Sequence, residues 1–409
     1  MAVSRRDRLR RRLMRHAPGA RRGPPAPLPD AAPLLRPGAR LLILRPDHLG
    51  DLLFVGPALD RLRAARPDLA PTLLVGPWSE AVARRLPGAA AVETLAFPWF
   101  DRQPKGAPWR PYIRLARAAR RLSGRFDAAL VLRDDDRWSA WLCALAGIPL
   151  RLGHDHPDLR PFLSHRLEAA HSPPHAAAAN LSLIEALLAG PGEPGRRLPS
   201  PGPETWPLGF RIDPADRARA DALLAEIGLK PGVPGGAPGP LAVHPGAGAP
   251  IKRWRSGAWA ELLEALTTPG EALVLTGGPD EAPLTAGLAR LLERPVLDLA
   301  GRTDLGTLAA VYARCRLVLG PDSGPLHLAV AVGTPSLHLY GPADAARFGP
   351  WGDAERHLAL TSELPCAPCG RLDWPRPAEH PCVRGIGVAR ALAAAQRLNP
   401  ISAGPGRDL

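Results

Sequence analysis

Lysine, cysteine and aromatic residues are all scarce in this chain, and each scarcity excludes something. Only three of the 52 basic residues are lysine, namely Lys105, Lys230 and Lys252, so a lysine that persists inside a loop motif is more informative than usual. Five cysteines in 409 residues are too few for a disulfide scaffold, and point to a reducing compartment. Aromatics make up 5% of the chain and no basic-aromatic stripe appears, so nucleic-acid binding fits no part except the N-terminus. No run of about 18 uninterrupted apolar residues occurs, so no segment reads as a membrane span. The N-terminus lacks the apolar core and small-residue cleavage site of a signal peptide. The expectation is a cytoplasmic protein, with peripheral attachment to an inner membrane left open.

What is present bounds the architecture. A chain of 409 residues with 45% apolar content exceeds the roughly 250–300 residues at which one core stops growing, so two domains are expected. The net charge of +13 is mainly a property of one end: residues 1–40 hold eleven Arg against two Asp, leaving +4 for the rest. The arm from Arg5 to Arg15 reads either as a contact for an anionic membrane surface, at about 1 kcal/mol per nearby Arg, or as a solubilising disordered extension.

Along the chain, short apolar runs alternate with helical patterns. Strands are expected at Ala39–Leu44, Thr72–Val75 and Ala128–Leu132, with helices over Asp51–Ala65, Glu80–Leu86 and Trp138–Ala146. A Gly- and Pro-rich stretch between about 188 and 240 reads as a linker. Alternation then resumes, with strands at Leu241–Val243, Ala272–Leu275, Val296–Asp298, Leu317–Leu319 and Ser336–Tyr340. The helices between them are expected at Trp259–Leu266, Ala282–Leu292, Leu305–Ala313 and Pro325–Val332. Such alternation implies parallel sheets covered on both faces. The division expected is a basic tail over residues 1–38, a first α/β domain over 39–205, a second over 206–385, and a C-terminal helix and tail over 386–409.

In doubly wound sheets ligands sit beyond the carboxyl ends of strands, so the strand-to-helix turns are where chemistry is sought. The turn LRPDHLGD (44–51) contains Asp47, His48 and Gly50, the glycine permitting a tight turn, and ends on Asp51. Asp51 reads either as a general base or merely as a helix cap. The turn VHPGAGAPIKRW (243–254) leads glycines into the rare Lys252, which suits a diphosphate or is an incidental surface cation. It is not a Walker loop, and LRPDHLGD lacks the G-x-G-x-x-G of a nicotinamide dehydrogenase. In GPDSGPLHLAVAVGTP (320–335), Asp322 or Ser323 can cap a helix whose start, with Gly324, Pro325, Leu326 and His327, forms an anion site by geometry and dipole; the plain alternative is a well-capped helix. In TGGPDE (276–281) the acids either grip ribose hydroxyls or stand solvated at a helix start.

Two further clusters stand apart. Asp134, Asp135 and Asp136 follow a strand and read as a polar loop edge. Cys366 and Cys369, with Cys382 and nearby His380, begin as C-x2-C, but the H-x-C half is tighter than most zinc spacings; Cys143 and Cys315 read as core.

Taken in order, these loops resemble glycosyltransferase family 9, the ADP-heptose:lipopolysaccharide heptosyltransferases, from about residue 40 to 386. The likeness is most specific in DSGPLH and the following GTPSLHLYGP. The resemblance implies an α/β GT-B fold, two Rossmann-like domains facing across a cleft, with the acceptor on the first and the nucleotide sugar on the second. It implies inverting transfer without a metal or other cofactor, the donor being a nucleotide diphosphate sugar such as ADP-heptose and the acceptor a glycan or glycolipid of the cell envelope. It makes Asp51 the base, Lys252 the diphosphate contact, Glu281 ahead of Asp280 the ribose contact, and Asp322, Ser323, Gly324, Leu326 and His327 the donor-binding helix start. Where relatives often carry paired serines before the glycine, this chain has Asp47 and His48. A non-catalytic nucleotide-sugar-binding chain of the same fold, or a different donor sugar, remains compatible with the same motifs. The oligomeric state is not legible.

Overall fold

A computed structural model describes residues 17–21, 23, 25–28, 35–98, 100, 107, 109–168, 174–188, 202–228, 239–268, 270–271, 273–376 and 379–398. The chain folds as two compact units, Met1–Trp206 and Pro207–Leu409. Among the described residues no helix is long and apolar enough to cross a membrane.

In the first unit the elements run β1 (Ala26–Leu28), β2 (Leu41–Arg45), α1 (Leu49–Leu53), α2 (Gly56–Ala65), β3 (Thr72–Val75), α3 (Glu80–Ala83) and β4 (Ala91–Thr94). They continue with α4 (Arg110–Leu122), β5 (Ala128–Val131), α5 (Arg137–Leu145), β6 (Leu150–His154), β7 (His165–Leu167) and α6 (Ala176–Leu188). The seven strands form one parallel sheet in the order β1-β7-β6-β5-β2-β3-β4. Sequence LLILR gives β2 an unbroken aliphatic run, buried along its whole length, as a central parallel strand requires. The helix expected over Asp51–Ala65 is instead two, interrupted at Phe54 and Val55. Pro57 is the cause, since it donates no N–H and suits only the first turn of a new helix. Asn180 of α6 satisfies the carbonyl exposed at that break, its Nδ2 donating to Phe54 O at 2.9 Å.

The segment read as a tail also departs from expectation. Ala26–Leu28 pair in parallel with β7, and Ala17 and Ala20 pack against the core beneath α5. Three short residues with open hydrogen-bonding edges give almost no pattern in sequence. The Arg5–Arg15 run lies outside the described residues.

The second unit runs α7 (Pro214–Ala225), β8 (Leu241–Val243), α8 (Ser256–Leu266), β9 (Leu273–Leu275), α9 (Ala282–Ala289), β10 (Val296–Asp298) and α10 (Leu305–Tyr312). Then come β11 (Leu317–Pro321), α11 (Gly324–Ala331), β12 (Ser336–Tyr340), α12 (Ala345–Phe348), β13 (His357–Thr361), α13 (Pro381–Arg384) and α14 (Val388–Leu398). Its six strands are all parallel, in the order β10-β9-β8-β11-β12-β13. Trp254 and Trp259 meet edge to face at 4.8 Å in a core that also takes in Ala391, Ala395 and Leu398 of α14. The stretch expected as pure linker contains α7, whose start is fixed by Pro214 and by a capping box in which Asp213 and Asp216 bond each other's backbone.

Numbered within each unit, six strands of each sheet follow the order 3-2-1-4-5-6 of a dinucleotide-binding fold, with β1 added at the edge of the first. The order reverses between β2 and β5, and between β8 and β11. A crevice for ligand opens at such points, outside the carboxyl ends of the strands.

Candidate active site

At the reversal point of the first unit, charge is concentrated. Arg45, the last residue of β2, places Nε 2.7 Å from Asp47 Oδ2, with only 6% and 4% of the two side chains exposed. Its Nη2 lies 3.4 Å from Asp51 Oδ1. Arg133, just beyond β5, pairs with the other oxygen of Asp47 and with Asp135. Asp51, Arg45, Asp47, Arg133 and Asp135 therefore form a line of alternating charges. The turn itself is pinned from β3's side: Ser79 Oγ donates to Asp47 O at 2.7 Å, and Trp78 Nε1 donates to the Pro46 and Asp47 carbonyls. His48 lies with its ring 5.7 Å from Trp78 and occupies the N-cap of α1.

Two expectations change here. The N-cap is His48 rather than Asp51, which lies in the first turn of α1 with its carboxylate 3.4 Å from Arg45. Gly50 also lies inside α1 rather than at the turn, which Pro46–His48 make with the help of Ser79 and Trp78. Asp136 is no loop edge either. It is buried as the N-cap of α5, accepting from Ser139 N and Oγ, and burial lifts its carboxyl to about 6.

The reversal point of the second unit is made mostly of uncharged groups. His244, directly after β8, is buried; its N–H donates to Leu319 O at 2.9 Å, which ties the loop to β11. Its Nδ1 lies 3.2 Å from Thr276 Oγ1, and Nε2 3.6 Å from Glu281 Oε2. Burial pulls its pKa below the ordinary imidazole value, against the opposing pull of Glu281. Thr276 Oγ1 is in turn 2.9 Å from Tyr312 Oη. Glu281 accepts from Gly278 N at 2.9 Å, and its Oε1 would lie only 1.9 Å from a Cβ added to Gly246, so glycine there leaves the carboxylate its room. Asp280 is exposed.

Lys252, in a short 3-10 turn over Pro250–Lys252, reaches β11's end: its Nζ is 2.6 Å from Asp322 Oδ2. Asp322 therefore does not cap α11. Ser323 holds the N-cap position in an extended conformation without a side-chain cap bond, and its Oγ is buried with no hydrogen-bond partner among the described residues. The first amides of α11, at Gly324 and Leu326, belong to an eight-residue helix whose start carries no capping side chain. Leu326 is fully buried, and a Cβ on Gly320 would lie 2.4 Å from its Cδ2, so any ligand contact it makes is through its main chain. His327 is buried with its ring 5.5 Å from His338. Ser336 Oγ bridges His338 Nε2 at 2.8 Å and His357 Nδ1 at 2.9 Å. Burial and neighbouring imidazoles hold His338 far below its ordinary value, and burial holds His357 at about 4.

The sequence reading passed over Arg45, Arg133, His244 and Thr276. His244 and Thr276 stand inside the motifs quoted, next to the strand ends, and that position was the available signal. Cys143, Cys315 and Cys382 are buried and all five cysteines are free thiols. Among the described residues no group of three or more His, Cys, Asp or Glu is placed to hold a metal ion.

The model of glycosyltransferase family 9 (heptosyltransferase) matches residues 115–373, well over half of the chain. The chain belongs to that family. Lipooligosaccharide heptosyltransferase 2 of Haemophilus influenzae is 31% identical over 163 residues, 36% of this chain and 43% of that protein. The chain spans about a third to a half of the length of the curated relatives it matches. Among solved structures, a glycosyl transferase family 9 protein from Veillonella parvula aligns over 90% of this chain and 99% of its own, with TM-score 0.69 and 22% identity. The Escherichia coli ADP-heptose lps heptosyltransferase II aligns over 88% and 98%, with TM-score 0.64 and 21% identity. These likenesses show the fold, which is GT-B.

Proposed function

We propose that the protein is a glycosyltransferase that moves a sugar, a heptose from ADP-heptose, onto a lipopolysaccharide core or related cell-envelope glycan. The observation that carries the reading is the pairing of the chain's one described lysine with Asp322 at the uncapped start of α11, in a member of family 9. A nucleotide diphosphate arriving there meets a cation and the amides of a helix start. Heptose and lipopolysaccharide come from the names of the relatives, among them the heptosyltransferases of Haemophilus and Escherichia.

In this reading the second unit binds the donor. Lys252 and the amides at Ser323 and Gly324 take up the charge that builds on the leaving diphosphate, Leu326 and His327 flank it, and Glu281 receives the ribose hydroxyls. The first unit binds the acceptor along the turn of Asp47, His48 and Gly50, and Asp51 removes the proton of the attacking hydroxyl. Direct attack opposite the leaving group inverts the anomeric centre. Charge is handled by side chains and amides rather than a metal, so chelation with EDTA leaves the rate unchanged. The Arg5–Arg15 run, outside the described residues, holds the protein to an anionic membrane surface.

The test is transfer from ADP-heptose, compared with other nucleotide sugars, to a lipopolysaccharide-core acceptor, wild type against Asp51→Ala. Transfer abolished in the variant with nucleotide binding retained supports the reading. Nucleotide binding without turnover in the wild type would reduce the protein to a binding chain.

A further inference from the structure

We propose that the outward face of α4 is a docking surface for an anionic lipid bilayer. Of the five large hydrophobic residues found exposed among the described residues, three fall within five positions at the start of this helix: Trp109 at 58%, Tyr112 at 50% and Ile113 at 41%. Isolated exposed apolar residues mean little, but a cluster of this size marks an interaction site. The same helix buries Leu115, Ala118, Ala119 and Leu122 in the core of the first unit, so its orientation is fixed. Opposite that buried stripe, Arg110, Ile113, Arg117 and Arg120 recur at helical spacing along the outermost ridge, and all four are exposed. The helix contains no acidic residue.

The chain around Pro18 reaches the same end of the helix. Trp141 Nε1 donates to Pro18 O at 2.9 Å, and the Tyr112 ring lies 6.0 Å from that of Trp141. Pro18 is thus held beside the aromatic end of α4.

The chemistry selects the occupant. A face of arginines interleaved with Trp, Tyr and Ile matches the bilayer interface, where aromatic rings sit at headgroup depth and cations meet anionic lipid. Nucleic acid offers no place for Ile113 amid the arginines. A second copy would set one arginine ridge against another.

The experiment is co-sedimentation of the full chain with vesicles of phosphatidylcholine alone and of phosphatidylcholine mixed with phosphatidylglycerol. Binding to the mixed vesicles is expected to be at least about tenfold tighter, falling about 30-fold in Arg117→Gln/Arg120→Gln. Brominated acyl chains should quench tryptophan emission in the wild type, and less in Trp109→Phe. An unchanged melting transition shows that the variants fold. Equal binding to both vesicle types overturns the proposal, as does unaltered vesicle binding in Arg117→Gln/Arg120→Gln, or a change in that variant confined to oligomeric state or RNA binding. Vesicle binding is read without turnover, so it stands or falls separately from the transferase reading.

Discussion

At the end of β2 the first unit gathers Arg45, Asp47, Asp51 and Arg133 into a line of alternating charges, whereas at the end of β8 the second unit sets one lysine and one aspartate beside buried His244, Thr276 and Tyr312. The same reversal of strand order thus supports two kinds of polar site. In the first, Asp47 is buried between two guanidinium groups, so removing it strands Arg45 in a dry environment. In the second, hydrogen bonds among neutral groups fix the loop, and the single ion pair is the part available to an anion.

Substitutions can break this contrast. The largest effect is expected for Asp51→Asn, which should lower turnover about 10²–10⁴-fold with little loss of stability, because Arg45 keeps Asp47 as its partner. Transfer rates at saturating donor measure this, and an unchanged rate would remove the base role. Asp47→Ala leaves two guanidinium groups without their shared carboxylate, and should cost about 3–5 kcal/mol in denaturant unfolding. If it costs no more than a surface substitution, the line of charges is not a structural unit. Lys252→Met should reduce kcat/KM about 10²–10³-fold while donor-independent stability changes far less; equal losses in both would make Lys252 a strut.

The second unit carries an acid-sensitive element in its buried histidine cluster. His357, held at about 4 when folded against about 6.5 unfolded, is neutral in the native state. Its contribution is complete above pH 6.5 and is lost as pH falls towards 4, about 3 kcal/mol in all. Unfolding transitions followed across that window should show the second unit weakening, and His357→Gln should flatten the slope. The smallest effect is expected from Gly246→Ala, about 1–2 kcal/mol, as the new methyl pushes Glu281 away; nucleotide affinity should fall with it.

How much of this was legible follows from where the signal is local. Strands β3, β8, β10 and β12 were read at their observed bounds because each is a compact apolar run between turn residues. Strands β1, β4, β6, β7 and β13 were missed: they are short or half-exposed, and residues such as those of AVET lack an apolar run. Helix α7 was hidden by the Gly- and Pro-rich stretches around it, although Asp213, Pro214 and Asp216 spell a helix start. In the site, Asp51, Lys252, Glu281 and Asp322 announced themselves by position after strands. Their partners did not: Arg133 is 86 residues from Asp47, and Asp322 70 from Lys252, pairings that only the fold creates.

The 2.6 Å contact between Lys252 and Asp322 has one more consequence. A bare ammonium in a pocket gathers whatever small anion the solvent offers; one already matched by a carboxylate does not. To dislodge or share that carboxylate, an incoming molecule must bring more than one phosphoryl group, or additional contacts elsewhere on the loop. If Lys252 is the diphosphate contact proposed above, the resting protein ignores inorganic phosphate and responds to a larger, multiply anchored guest.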